Sequence, residues 1–380
     1  MSNYNEIIDF IRSKYPSKEF IPLHEPKFSG REKEYVLDTI DSTFVSSVGA
    51  YVDKFEIMMS ELSKTQKAVA VVNGTSALQV ALRLSGVSSG DEVLTQALTF
   101  IATINAIIYN GASPVFLDVD IDTMGLSPNS VSAFLEKYGV LKEGVCYNKK
   151  TNKKIAACMP MHTFGFPVHL DELINVCKKW HIPLVEDAAE SIGSEYKNRP
   201  TGSFGLLGVF SFNGNKIITS GGGGAIVTNN IELGVKAKHL TTTAKVPHQY
   251  EFIHDEIGYN FRMPNLNAAL ACAQLEQLNS FIQNKRKLAI EYSNFFESKG
   301  VMFRTELPNT KANYWLMCLE LENKKERDAF LKETNENKVM TRPIWQLIFK
   351  STLYSNFQRD SQANAIYLEE RIVNIPSSVN

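Results

Sequence analysis

Four short segments carry residues whose types and spacing allow chemistry. Asn73-Gly74-Thr75-Ser76-Ala77-Leu78 follows an apolar run and opens a helical pattern. Glycine lets the backbone approach a ligand there, and the amides and hydroxyls of Thr75 and Ser76 at a helix start bind phosphate. The same residue types also make an ordinary helix cap. Val185-Glu186-Asp187-Ala188-Ala189-Glu190 ends a second apolar run, at the strand end where parallel sheets bind ligands. An aspartate there can keep a heteroaromatic nitrogen protonated, and two small alanines admit a flat ring. In Phe210-Ser211-Phe212-Asn213-Gly214-Asn215-Lys216 a lysine follows a strand among small neutral residues. Desolvation beside a cationic cofactor turns such an amine into a nucleophile. Ser211 can add a phosphate contact, and the run Gly221–Gly224 implies tight turns or close approach. Phe100, after another strand, can stack on a flat ring. Phosphate cup, ring carboxylate, aromatic face and isolated lysine together describe a pyridoxal-phosphate (PLP) site.

Those residues need elements to position them. β-branched runs at 68–72, 92–96, 114–119, 155–161, 183–186, 208–212 and 225–228 read as strands. Helical patterns fill the gaps at 76–85, 101–110, 129–137, 170–180 and 231–239. Near-continuous apolar strands alternating with helices predict an α/β domain with a mainly parallel, covered sheet. We expect it to span 1–255, including N-terminal helical stretches and a polar loop at 44–49. A smaller α+β domain is expected over 256–380. It has one long helix or a kinked pair at 268–296, a strand at 314–321, a helix at 325–333 and a strand at 340–344.

Composition narrows the alternatives. In 380 residues, 40 Lys+Arg balance 41 Asp+Glu for a net charge of −1, which argues against a dedicated nucleic-acid binder. Five scattered cysteines without a Cys-x-x-Cys pair argue against a disulfide framework or zinc knuckle and for a cytoplasmic protein with reduced thiols. Residues 1–22 carry charges throughout, unlike a signal peptide. The uncharged stretch 93–117 is broken by polar residues, glycine and proline, so it reads as buried core rather than a membrane span. There is no P-loop, no Gly-x-Ser-x-Gly elbow and no histidine spacing of a metal site. Asp118–Asp122 resembles a calcium loop but lacks its glycine and its distal glutamate. No metal is expected.

The four segments occur in a telling order. With the His162-containing stretch 160–165 and Gly258-Tyr259-Asn260-Phe261-Arg262-Met263, the chain resembles the DegT/DnrJ/EryC1/StrS family. These are PLP-dependent sugar aminotransferases with the aspartate-aminotransferase fold, PLP fold type I, in which the large domain carries a seven-stranded sheet. The likeness runs from about residue 20 onward. It implies that Lys216 binds the cofactor covalently and then carries a proton between cofactor and substrate. Asp187 would pair with the ring nitrogen, Phe100 would stack on the ring, and Gly74, Thr75, Ser76 and Ser211 would hold the phosphate. Asn260 would complete a neighbouring subunit's site, so a homodimer is implied. Two departures are visible. Glu190 stands where His or Gln is frequent, and Gly222 where many members have Glu. Glu190 would touch the cofactor's ring hydroxyl only when protonated or through water.

A lysine at 216, rather than the histidine of the family's dehydratases, favours transamination. Glutamate would supply the amine, and a nucleotide-linked keto sugar would receive it. Segments 44–49, 240–245 and 341–345 resemble the branch acting on 4-keto-6-deoxy-N-acetylhexosamines in legionaminic acid or bacillosamine-type synthesis. Substrate contacts are expected from Ser46, His162, Lys245 and Arg342, with His248 beside them. The alternatives are a GDP-linked 4-keto-6-deoxymannose, a 3-keto hexose or an eight-carbon keto-acid sugar. A non-catalytic PLP-binding regulator would conflict with keeping Lys216, Asp187, Ser211 and Thr75 together.

Overall fold

The computed structural model describes residues 4–380; Met1, Ser2 and Asn3, the start of the segment read as lacking a signal peptide, lie outside the described residues. Seven strands form the central layer: β1 (Lys67–Val71), β2 (Glu92–Gln96), β3 (Ser113–Leu117), β4 (Ile155–Met159), β5 (Val185–Asp187), β6 (Leu207–Ser211) and β7 (Gly224–Thr228). They lie side by side in the order β1-β7-β6-β5-β4-β2-β3, with Cys158↔Leu184 and Met161↔Asp187 bridging β5 to β4. Only β7 runs against the others. Residues in β2, β4, β5 and β7 are buried throughout. This explains the largely apolar runs of β4 and β7, because a sheet covered on both faces leaves no side for alternating polar residues. The polar residues of β2 and β5 are buried and hydrogen-bonded, as Thr95, Gln96 and Glu186 are.

Helices α1 (Asn5–Lys14), α2 (Glu32–Asp41) and α3 (Ala50–Ser63) precede the sheet. Those covering it are α4 (Gly74–Leu84), α5 (Ile101–Tyr109), α6 (Pro128–Tyr138), α7 (Leu170–Lys179) and α8 (Ile231–Thr241). Side-chain caps start three of them: Asn73 accepts from the Ser76 amide, Ser127 from Ser130 and Asn230 from Leu233. These elements match the sequence pattern to within a few residues.

The second half differs more. The long apolar stretch is a pair, α9 (Asn265–Leu275) and α10 (Leu278–Ser298), broken at Glu276-Gln277. The expected strand at 314–321 shortens to Met317–Glu320, because Tyr314 sits at φ 51°, outside the extended region. Hairpin residues 139–148, helix α12 (Ala363–Glu369) and strand Ile372–Ile375 were not anticipated. Between the broken strand and α12 lies α11 (Lys324–Glu336), which packs beside the four-stranded antiparallel sheet of the smaller unit.

Chain order and spatial grouping part company at both ends. In α1, Phe10 stacks on Phe295 of α10 at 3.8 Å and Tyr4 meets Phe330 of α11 edge-on. Conversely, Gln274 of α9 donates to Glu32 of α2, and Asn265 to the Phe44 carbonyl. Contacts thus run across 255/256: α1 packs against α10 and α9 against α2 and α3.

The glycine run is required where the structure is tight. A Cβ on Gly224 would stand 2.6 Å from the Asn73 backbone, while at Gly222, the position that departs from many relatives, it would meet only ordinary contact at 3.8 Å. Gly224→Ala is therefore expected to lower stability by about 1–3 kcal/mol, read as a lower urea midpoint at unchanged m-value. A result within 0.5 kcal/mol (about the size of surface changes) would refute the steric account.

Lys285 of α10 is fully buried and donates to the Ser377 carbonyl. Burial pulls its ammonium down to about 7. Between that value and the ordinary lysine range, the unfolded chain holds a proton that the folded chain does not. Stability relative to Lys285→Met should therefore rise with pH from about 7 towards 10, by at most about 1.4 kcal/mol per pH unit. Urea unfolding of both proteins across that window checks the slope; parallel curves would contradict it.

Candidate active site

Asp187 ends β5, Ser211 ends β6, and Gly74 opens α4 directly after β1, so topology alone gathers three of the four segments at one edge of the sheet. They line a cavity of about 620 Å³, together with Thr75, Phe100, Glu190, Lys216 and Arg342. Parallel strands deliver their carboxyl ends to one side, and ligands of such sheets bind there.

Lys216 is held in place by its surroundings. Its amide donates to the Asn213 carbonyl, 3.0 Å away. Its Nζ lies 3.3 Å from Glu190 Oε1 and 3.8 Å from the Trp315 ring centre. Trp315 is itself fixed by a 2.7 Å bond from its indole Nε1 to the Asn215 carbonyl. The Glu190 carboxylate also accepts from the Phe164 amide at 2.9 Å. Burial pushes the Glu190 carboxyl above its ordinary value, and the Lys216 charge opposes that shift. The two therefore form a buried ion pair that depends on the lysine's charge. Were that charge lost, the carboxylate would be left without a partner and a proton on it would become favourable.

Asp187 is buried, with Oδ2 accepting from the Thr103 hydroxyl at 2.8 Å and Oδ1 from the Ala189 amide at 3.2 Å. Burial pushes its carboxyl up, while those two bonds and Lys216 hold it down. The carboxylate is thus oriented, desolvated and short of positive charge, which is what a protonated ring nitrogen supplies. Its neighbour Glu186 does different work. It accepts from the amides of Gly202, Phe204 and Gly205 and from His162 Nε2, knitting the floor below.

That network corrects two expectations. His162 is fully buried, with Nε2 3.0 Å from Glu186 and Nδ1 accepting from the Val168 amide at 3.3 Å. Both ring nitrogens are used inside the protein, so His162 supports the floor and does not reach a substrate in the cavity. Ser76 is buried too and does not line the cavity, and its amide donates to Asn73 Oδ1 in the helix cap. The Gly74 and Thr75 amides make no bond among the described residues.

Ser46, Lys245 and Asn260 lie outside this chain's own cavity. All three are exposed. The Ser46 carbonyl accepts from the Asn265 amide, Lys245 Nζ rests 4.0 Å over Phe252, and Asn260 Oδ1 accepts from Arg262 Nε. Asp120, Asp122 and His169 of the calcium-like stretch converge in a separate surface hollow that Arg304 also lines.

Sequence reading missed most of the cavity's second wall. Of three tryptophans, Trp315 and Trp345 line it, facing Phe164. Thr103 sits in a segment already singled out, but its bond to Asp187 depends on how α5 crosses the end of β5. The presence of two rare tryptophans in the smaller unit was the available signal.

The donor set fits PLP. Free amides at Gly74 and Thr75, with Ser211 beside them, suit its phosphate; Asp187 suits its ring nitrogen; exposed Phe100 suits its face; and Lys216 suits its aldehyde. Gly74 keeps this cup open, since a Cβ there would come within 2.8 Å of Ser211 Cβ. Bound PLP supplies an electrophilic carbon and an electron-accepting ring. Lys216, within reach of Glu190, would hold that carbon and could carry a proton, Asp187 would keep the ring nitrogen charged, and Trp315 would screen the amine from water.

Comparison with known proteins gives the family. Residues 26–380 match the DegT/DnrJ/EryC1/StrS aminotransferase family. The chain is 36% identical over 360 residues to GDP-perosamine synthase of Escherichia coli O157:H7, covering 94% of this chain and 93% of that protein. It is 33% identical over 360 residues to GDP-perosamine synthase of Vibrio cholerae, covering 94% of each. Among solved structures, Helicobacter pylori PseC, an aminotransferase involved in the biosynthesis of pseudoaminic acid, superposes with a TM-score of 0.84 at 25% identity over 94% of both chains. Among the described residues no helix is long and apolar enough to cross a membrane. With Lys216, Asp187 and the open Gly74–Ser211 cup on one sheet edge, and with a match running almost end to end, the chain belongs to the DegT/DnrJ/EryC1/StrS family and is a PLP-dependent sugar aminotransferase.

Proposed function

We propose that this enzyme moves the amino group of glutamate to the 4-keto carbon of a nucleotide-linked 4-keto-6-deoxy-N-acetylhexosamine, for bacterial surface amino sugars of the legionaminic acid or bacillosamine type. The observation that carries this reading is the aromatic wall facing Lys216. Phe164 and Trp345 rings lie 4.7 Å apart, with Trp315 beside them. A flat acetamido group with its methyl packs well against such a wall. The likeness to PseC supports the same class of product. A GDP-linked 4-keto-6-deoxymannose is the second reading, favoured by the two relatives named GDP-perosamine synthase.

The working unit in this reading is a homodimer in the cytoplasm. Asn260, Ser46 and Lys245 then face the partner's cavity, which accounts for their exposure here. Exposed apolar side chains cluster in the same segments, with Tyr250 78%, Phe252 79% and Ile257 79% accessible, and contiguous exposed apolar surface marks an interaction site.

A panel of UDP-, GDP- and dTDP-linked keto sugars, offered with glutamate and read by the mass of the amino-sugar product, tests the substrate. The N-acetylhexosamine should give the highest kcat/KM; preference for the GDP-linked sugar would move the assignment to the second reading. Mixing Lys216→Ala with Asn260→Ala protein tests the shared site, because recovery of activity in the mixture requires one intact composite cavity. No recovery would argue that each chain works alone.

A further inference from the structure

Asn374 lies on the strand Ile372–Ile375 and lines the active cavity at 3% exposure. Its Nδ2 is sealed from solvent and has no hydrogen-bond partner among the described residues. Buried amides are almost always satisfied, so one left open in a cavity wall calls for a ligand. A half-turn of the carboxamide exchanges its two ends, so the donor can be presented to the cavity without moving the backbone.

Directly across the antiparallel pair stands Arg342. Facing residues of such a pair project to the same side, and both line the cavity. Arg342 makes only long bonds, 3.4 Å to Asn335 Oδ1 and 3.3 Å to the Thr341 carbonyl, and no ion pair among the described residues. Among the described residues, Lys216 and Arg342 are the only Lys or Arg side chains lining the cavity. Lys216 is committed to the cofactor and to Glu190.

An aminotransferase must accept two substrates in turn at one site. A keto sugar presents hydroxyls and amides near its reacting carbon; an amino-acid donor presents an α-carboxylate one bond from it. A guanidinium fork beside an amide donor matches a planar carboxylate. We propose that Arg342 and Asn374 form the subsite for the α-carboxylate of the amino donor, with Asn374 a specificity-determining residue. The inference rests on the two-substrate reading above, but it holds for any α-amino acid donor.

The test follows the first half-reaction in the PLP-loaded enzyme by the loss of its visible absorbance. L-glutamate and its α-amide, isoglutamine, are compared in wild type, Asn374→Ala and Asn374→Asp. In Asn374→Ala the glutamate concentration for half-maximal rate should rise roughly 10- to 100-fold, the size of a charge-assisted hydrogen bond. The preference for glutamate over its amide should shrink in step, while the KM for the keto sugar stays within about twofold. Asn374→Asp, nearly the same shape, should be worse than alanine because it sets carboxylate against carboxylate. If wild type responds to another amino acid instead of glutamate, the donor assignment falls, and the same comparison is made with that acid and its amide. An unchanged acid-over-amide preference in both variants, or a rise confined to the keto-sugar KM, would overturn the subsite.

Discussion

Lys216→Ala is expected to reduce turnover by about 10⁴-fold or more, the scale seen when a covalent nucleophile is removed. The side chain is enclosed: Glu190 is 3.3 Å from Nζ, Trp315 covers it at 3.8 Å, and no second lysine lines the cavity. No neighbour can take over either the covalent role or the proton transfer. Glu190 would be left buried without its counter-charge, and taking up a proton relieves that cost, so the variant should still fold. The measurement is the visible spectrum of the PLP-loaded protein before and after glutamate. Wild type should show a band that glutamate bleaches, and the variant should show no lysine-bound band and no bleaching. Lys216→Arg keeps the charge beside Glu190 but not the nucleophile, and it should be equally inactive. Turnover within tenfold of wild type in either variant would remove Lys216 from its assigned role.

Asp187→Asn is expected to lower kcat by roughly a hundred- to a thousandfold, the cost of losing one preorganised electrostatic group. The substitution keeps the shape and removes the charge that a protonated ring nitrogen needs. It also turns one acceptor into a donor facing either the Thr103 hydroxyl or the Ala189 amide, both of which bond the carboxylate now. Because Lys216 remains, the visible band should still form, and its bleaching by glutamate should slow. The separation of these two readouts is the point of the experiment. An Asp187→Asn enzyme that bleaches at the wild-type rate would show that the carboxylate serves only the floor, as Glu186 does.

Much of this enzyme was legible before any coordinates. Most of the strands β1 to β7 announced themselves because burial on both faces favours near-continuous apolar runs, and the helices between them because their caps and periodicity are local. Lys216, Asp187, Ser211 and the Gly74–Thr75 pair were readable for the same reason: each sits within a few residues of a strand end. The open side of a parallel sheet collects strand ends, whatever the rest of the chain does.

Tertiary structure decided the rest, through contacts between residues far apart in the chain. His162 looked like a ligand contact by its motif, but 24 residues on, Glu186 claims its ring. Ser76 looked like part of the phosphate cup, and its amide turned out to be engaged by the helix cap. Trp315 and Asn374 carried no local signature, and Arg342 and Trp345 were marked only by the resemblance of segment 341–345; all four line the cavity in the smaller unit. The packing of α1 on α10 and of α9 on α2 and α3 was equally hidden, since stacking of Phe10 on Phe295 links residues nearly 300 apart. Local sequence sets which elements form and which chemistry stands at their ends; side-chain partners across the fold determine which of those groups stays free to meet a substrate.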